Sequence, residues 1–219
     1  MYINFLESHH KKTKRNYLER VNKINKAEAA SKAKLWDFDY WDGSRDINYG
    51  GYHYDDRWKP IAEKMINHYK LDENSKILDV GCGKGYLLYE FKNFIPDCEV
   101  KGLDISKYAI QNSKEEIKNQ ISLGSAKKLP FKDNYFDLVI SINTLHNLYC
   151  YDLHSSLKEI ERVSKKNKYI CVESYRNEKE KVNLLYWQVT CESFFTPDEW
   201  NWFFKQAQYN GDHSFIYFE

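Results

Sequence analysis

Three of the nine glycines in this chain, Gly81, Gly83 and Gly85, alternate over five positions, and Asp79 stands two residues ahead of the first. An apolar run (Ile77, Leu78, Val80) leads into them, and an amphipathic stretch (Leu87, Leu88, Phe91, Phe94, Ile95) leads away. Between a buried strand and a helix, glycines at this spacing let the backbone take positive φ and let a ligand lie against bare main chain. The helix N-terminus behind the turn offers unpaired N–H groups to an acidic or polar ligand. The chemistry within reach is therefore the holding of a nucleotide-like molecule. A second acid, Asp104, follows Asp79 by 25 residues and closes the next strand-like run. In nucleotide-binding α/β folds an acid at that place hydrogen-bonds the ribose hydroxyls. Its other ordinary use is to cap the helix that starts near Ser106. A dinucleotide fingerprint needs its third glycine three residues after the second, and that position holds Tyr86.

The D-x-G-x-G-x-G pattern of residues 79–85 resembles motif I of the class I S-adenosylmethionine (SAM)-dependent methyltransferases. Two further segments carry the likeness: Gly124-Ser125-Ala126 through Leu129-Pro130-Phe131, and Asn134-Tyr135-Phe136-Asp137-Leu138-Val139. The resemblance covers roughly residues 55–175 and implies a three-layer, Rossmann-like α/β sandwich. It implies SAM as cofactor and S-adenosylhomocysteine (SAH) as product, with Asp79, Gly81, Cys82, Gly83, Gly85, Asp104 and Ile105 around the cofactor. Ser125 and Ala126 would face its adenine, and Asn143 its methionine portion. The family usually places Asp where Ser125 stands, and a serine hydroxyl accepts the adenine amino bond more weakly. The Pro-Pro clamp of the nucleic-acid amino-methyltransferases is missing, so the likeness is to small-molecule enzymes of the class.

The acceptor side is less explicit. Asn143-Thr144-Leu145-His146-Asn147 stands at the carboxyl end of the apolar run 136–142, where ligands of open α/β sheets bind. His146 is the candidate general base, because imidazole titrates near neutrality; the plainer role is to shape the pocket. Methyl transfer by direct displacement needs in-line positioning of the acceptor and, for a hydroxyl or ammonium, removal of a proton. Two aromatic-rich segments, 36–58 and 176–195, could roof that space. They supply the candidate substrate contacts Tyr49, Tyr52, Tyr54, Tyr186 and Trp187, while Arg57 is a candidate clamp for the cofactor carboxylate. No metal site is expected, since the histidines and acids show no ligand spacing.

The elements that must position these residues follow from periodicity. Strand-like runs at 77–80, 99–104, 121–123, 136–142, 169–174 and 215–218 alternate with helical patterns at 55–69, 86–95, 108–119 and 153–164. That alternation implies a mostly parallel sheet of six or seven strands, covered on both faces. Thr196-Pro197-Asp198-Glu199 reads as a helix start with a capping box, and 176–195 as a long crossover without clear period. Residues 36–58, where tryptophans and tyrosines interleave with aspartates, read as an ordered loop acting as a lid, and 10–34 as a basic helix. The expected division is an extension over 1–54 and a methyltransferase domain over 55–219.

At 219 residues and 42% hydrophobic content the chain can bury a substantial core. Its net charge of +1 gives no global field favouring nucleic acid, although residues 1–35 hold nine Lys/Arg against three acids. The thin apolar stripe of the basic helix would pack on the domain or on a partner subunit of a homodimer. An RNA or protein methyltransferase using that helix is the competing function, and a non-catalytic protein with this fold is another. Five scattered cysteines and no apolar stretch of ~20 residues point to reduced thiols, no membrane span and a cytoplasmic enzyme acting on a small molecule.

Overall fold

The computed structural model describes residues 1–7 and 15–219. Helices run over Tyr17–Lys23 (α1), Lys26–Ala33 (α2), Phe38–Trp41 (α3), Lys59–Tyr69 (α4), Tyr86–Phe94 (α5), Lys107–Gln111 (α6), Glu115–Lys118 (α7), Cys150–Val163 (α8), Glu178–Trp187 (α9) and Pro197–Gln206 (α10). Strands run over Lys76–Val80 (β1), Glu99–Asp104 (β2), Ile121–Leu123 (β3), Phe136–Ile142 (β4), Ser164–Glu173 (β5) and Asp212–Ile216 (β6). They form one sheet in the order β3-β2-β1-β4-β5-β6, with every neighbouring pair parallel.

Successive strand residues face opposite sides, and both sides are covered, so the central strands are apolar throughout. Ile77 and Ile140 join Ile61 and Met65 of α4 and Leu88 and Phe91 of α5 on one face. Leu78 and Val139 join Leu153, Leu157 and Ile160 of α8 and Trp200 of α10 on the other. The chain runs outward from β1 through β2 to β3, then returns to lay β4 on the other side of β1. The reversal leaves a crevice beyond the carboxyl ends of β1 and β4, where the glycine turn and Asn143 stand.

Several elements differ from the sequence reading. The helix expected over 108–119 is two short ones, because Ser113 Oγ and Asn112 Nδ2 bond the Ile110 and Tyr108 carbonyls and compete with a continuing ladder. The crossover expected at 176–195 contains α9, capped by Asn177 Oδ1 accepting from the Glu180 N–H at 3.0 Å. Only Glu180 and Leu184 of α9 are buried, so an apolar period had little to register. The expected closing strand 215–218 lies earlier, at β6. Within the basic segment, Asn25 caps α2 and breaks the expected single helix in two, while residues 10–14 lie outside the described residues.

The aromatic segment 36–58 is irregular apart from α3, and it is fastened onto the glycine turn. Lys84, in the middle of that turn and only 3% exposed, donates to both carboxylate oxygens of Asp42 at 2.8 and 2.7 Å and to the Tyr52 carbonyl at 2.9 Å. Asp42 also accepts from the Tyr52 N–H at 3.0 Å and the Tyr108 hydroxyl at 2.9 Å. Burial alone would raise the Asp42 carboxyl, but these bonds outweigh it and hold the group below the usual range. The tie therefore persists through neutral pH and fails only in acid, as pH falls through that lowered value.

Removing one partner of such a pair strands a desolvated charge, at a cost of about 3–5 kcal/mol. Lys84→Met is expected to lose stability of that order in urea denaturation and to open residues 36–58 to proteolysis. Combined with Asp42→Asn, the loss should be smaller than the sum of the two single losses.

Candidate active site at the glycine turn

The glycines are required by what crowds them. Gly81 has φ +81°, and a Cβ there would stand 2.1 Å from Thr144 Oγ1. Gly83 has φ +55°, and a Cβ there would meet the Trp41 ring at 2.6 Å. Asp104 Oδ2 accepts from the Gly83 N–H at 2.7 Å, and its Oδ1 from the Ser106 N–H at 2.8 Å. The carboxylate thus braces the turn and the start of α6 together, and each oxygen retains a lone pair for a ligand. Burial raises Asp104, against the pull of the Ser106, Gly83 and Ile105 amides. Asp79 beside it is raised to about 8, first by burial and then by the Asp104 charge. Burial, followed by those two acids, pushes the Cys82 thiol well up, so it lines the site as a neutral group.

Above the turn lies a cavity of about 190 Å³. Its floor includes Asp79, Gly81, Cys82, Gly83, Asp104 and Ile105, continued by Ser125, Ala126 and Asn143. Its roof is the aromatic segment, through Trp36, Tyr40, Trp41, Tyr49, Tyr52 and Trp58. Tyr49 stacks on Trp41 at 5.4 Å, and Tyr52 on Tyr86 at 5.1 Å. Two side-chain acceptors in the lining, Asn143 Oδ1 and Asn147 Oδ1, are buried without a hydrogen bond. Asn143 also has φ +57°, a left-handed conformation that asparagine tolerates better than most residues.

A second, more polar chamber of about 300 Å³ shares Tyr40, Tyr49, Tyr52 and Asn143 with the first. His146, Glu173, Gln188 and Trp187 line it, together with Arg15, Arg45 and Arg57. His146 is 2% exposed, and burial lowers it to about 3, so the ring is neutral. Its Nδ1 accepts from the Glu173 N–H at 3.4 Å, which puts the ring proton on Nε2, 3.5 Å from Glu173 Oε2. Glu173 is raised to about 8 by burial, although a bond from Gln188 pulls the other way. Gln188 Nε2 donates to Glu173 Oε1, whereas Oε2 is buried without a hydrogen bond.

Most residues singled out from the sequence meet here, and some do not. Gly85 lies outside both linings; at φ +74° it starts α5, with Ile117 packed where its Cβ would be. Arg57 borders the second chamber rather than the first, in a fork with Asp55 whose Nε–Oδ2 distance is 2.7 Å. Tyr49 and Tyr52 border both chambers, and Trp187 the second alone. Tyr54 is drawn away from both, since its hydroxyl donates to Asp56 at 2.7 Å and to Glu90. Tyr186 borders neither and is 37% exposed on α9. The residues missed were Trp41, Asn147, Glu173, Arg15 and Arg45. For Glu173 a signal existed: it ends an apolar run beside the one that ends at Asn143.

A family model described as a methyltransferase domain matches residues 71–208, and one described as protein-L-isoaspartate(D-aspartate) O-methyltransferase matches residues 5–129. The chain is similar to an uncharacterized methyltransferase of Schizosaccharomyces pombe, with 33% identity over 119 residues, 49% of this chain and 41% of that one. It is 41% identical over 126 residues to the demethylmenaquinone methyltransferase of Bacillus cytotoxicus, covering 54% of this chain and 52% of that one. The chain spans about half the length of these curated relatives. Among solved structures, the YcgJ protein of Bacillus subtilis shares the fold with a TM-score of 0.56 at 21% identity, over 67% of each chain.

The two raised acids carry a consequence for stability. Asp79 and Glu173 titrate at about 8 when folded, against about 3.9 and 4.3 in an unfolded chain. Acids raised in this way contribute fully below the unfolded values, and the contribution is lost as pH rises through the folded ones. Thermal midpoints followed by circular dichroism are expected to fall as pH rises from about 5 to 9. Asp79→Asn and Glu173→Gln should each flatten that fall; an unchanged slope would place the shifted acids elsewhere.

Proposed function

This chain belongs to the methyltransferase-domain family, and we propose that it moves a methyl group from SAM to an oxygen or nitrogen of a small molecule. The observation that carries this reading is the pairing of two chambers: a cavity over the glycine turn and a more polar one share Tyr40, Tyr49, Tyr52 and Asn143 in their linings. The residues present fit the cofactor. Gly81 and Gly83 line the cavity with main chain, Asp104 keeps acceptor capacity beyond its amide bonds, and Asn143 and Asn147 present buried acceptors without a hydrogen bond.

When bound, SAM supplies a methyl group already activated by its sulfonium. Asp104 would take the ribose hydroxyls and keep the turn closed through Gly83. The carbonyl oxygens of the Asn143 and Asn147 side chains suit the ammonium of the methionine end. Ser125 and Ala126 would border the adenine, as the resemblance implies. Trp41, Tyr49 and Tyr52 would exclude water from the cofactor cavity, and Tyr49 and Tyr52 also border the acceptor chamber. His146 is better suited to orient Glu173 than to take a proton, because its one free lone pair already accepts from the Glu173 amide. Arg57 is better suited to the acceptor chamber than to the cofactor carboxylate.

The described part of the basic N-terminal segment supports a small acceptor over a polymer. Arg20 spends its guanidinium on the Trp187, Arg45 and Ile47 carbonyls, and Lys23 pairs with Asp46 at 2.9 Å. These cations are committed within the chain and do not form a face for RNA.

Asp104→Ala removes a charged acceptor worth about 1.5–3 kcal/mol, so SAH affinity by calorimetry is expected to fall roughly tenfold to a hundredfold. Wild-type affinity would remove Asp104 from cofactor binding. If His146 acts through its Nδ1 acceptor, His146→Asn should retain far more turnover than His146→Leu, and equal losses would return it to the role of base.

A further inference from the structure

Resting on that reading, we propose that the acceptor is bifunctional: an oxyanion held by Arg15 and Arg45, and a hydroxyl or ammonium held by Glu173 that receives the methyl group. Both arginines line the second chamber, and among the described residues neither forms a salt bridge. Arg15 Nε is buried with no hydrogen-bond partner. Arg45 Nη1 donates only to the Asn48 and Tyr49 carbonyls, at 2.8 and 3.1 Å. The two charges also oppose each other: after burial, Arg15 is the largest influence lowering Arg45. Arg57, by contrast, is already neutralised by its fork with Asp55. Two guanidiniums confined together with no salt bridge among the described residues, and with only the Glu173 carboxyl close enough to feel the Arg15 charge, are costly unless a ligand brings a counter-ion, and a carboxylate or phosphate matches their planar donor sets.

The second half of the recognition is Glu173. Its side chain is 5% exposed, one oxygen is held by Gln188, and the other has no hydrogen bond in a chamber large enough for a ligand. A buried carboxylate oxygen left in that state calls for a donor. Trp187 forms a wall shared by the two ends, with the Arg15 and Arg45 guanidinium carbons 5.3 and 5.4 Å from its ring centre. With Tyr40, Tyr49 and Tyr52 it favours a planar body between the two polar ends.

The step balances with these groups. With Glu173 ionised, which burial delays until about pH 8, a hydroxyl acceptor gives its proton to Oε2 as its oxygen lone pair forms the bond to the methyl carbon. The carbon–sulfur bond breaks, and its electron pair stays on sulfur, which leaves as the neutral thioether of SAH. An ammonium acceptor gives a proton to Glu173 before its nitrogen attacks. The oxyanion end is unchanged throughout.

The test is calorimetric binding of 4-hydroxybenzoate, phenyl phosphate, benzoate and the neutral 4-hydroxybenzamide, with and without SAH. Wild type is expected to prefer 4-hydroxybenzoate or phenyl phosphate over 4-hydroxybenzamide by about tenfold or more, as a charge-assisted pair contributes. The stronger of the two identifies the oxyanion. Arg15→Gln should remove most of that preference with SAH affinity unchanged, and Arg45→Gln should behave alike where it folds. Glu173→Gln should abolish the advantage of 4-hydroxybenzoate over benzoate. Equal binding of the neutral amide, or an undiminished preference in Arg15→Gln, overturns the proposal. Loss of SAH binding by wild type with the anion preference intact would instead sink the cofactor reading alone.

Discussion

A buried ammonium inside the glycine turn governs the geometry of the whole site. Lys84 occupies the one position between Gly83 and Gly85 that carries a side chain, and that side chain turns into the protein to grip Asp42 and the Tyr52 carbonyl. The turn is therefore at once the floor of the cavity and the anchor of its roof. Tyr86 repeats the arrangement two residues later, with its hydroxyl donating to the same Tyr52 carbonyl at 3.0 Å. The Trp41 indole N–H reaches Ser106 Oγ at 2.9 Å, and Ser106 is in turn held by Asp104. Roof, turn and ribose-side acid thus form one connected hydrogen-bond system, and a shift in any member moves the others.

That connectivity explains the unusual charge density under the roof. Asp104 lies close enough to Asp79 for its charge to disfavour ionisation there, and both are buried. In isolation such a pair weakens a fold. Here the compensation is divided: amide N–H groups serve Asp104 directly, and Lys84 supplies the roof with its only ammonium contact to Asp42 among the described residues. The region retains acidity toward the cavity, which suits a ligand presenting hydroxyls and positive charge. The second chamber has the opposite bias, with Arg15 and Arg45 opposing each other across an aromatic wall. Two adjoining spaces of contrasting polarity that share tyrosines in their linings would suit the proposed reaction between a cationic donor and an anionic acceptor.

The parts of this organisation legible in the sequence are those fixed by local backbone demands. Positive φ at Gly81 and Gly83, the buried strands β1, β2 and β4, and the capping box that opens α10 each leave a signature within a few residues. The site residues that escaped depend on partners far away in the chain. Arg57 and Arg45 both sit in the aromatic segment, and the neighbouring Asp55 neutralises the first, whereas the second has no salt bridge among the described residues. Tyr54 and Tyr52 read alike, yet Glu90 on α5 draws the first away while Lys84 brings the second in. Helix α9 escaped because it buries so little; its signature lay in Asn177 and Glu180 at its start rather than in an apolar period.

The relation between His146 and Glu173 bears on which group at the strand ends is placed to move a proton. A histidine beyond β4 is the natural candidate for proton transfer, and burial does leave it neutral. Its acceptor nitrogen, however, faces a backbone amide on β5, so the lone pair that a base needs is already engaged. The carboxyl group of that same residue keeps an oxygen without a hydrogen bond, 3.5 Å from His146 Nε2 and inside the space shared with the arginines. Burial raises that carboxyl toward neutrality, which brings its proton affinity closer to that of a hydroxyl or ammonium than an exposed glutamate could come. On the proposed reading the adjacent ends of β4 and β5 would divide the work, the histidine bracing the glutamate and the glutamate facing the acceptor.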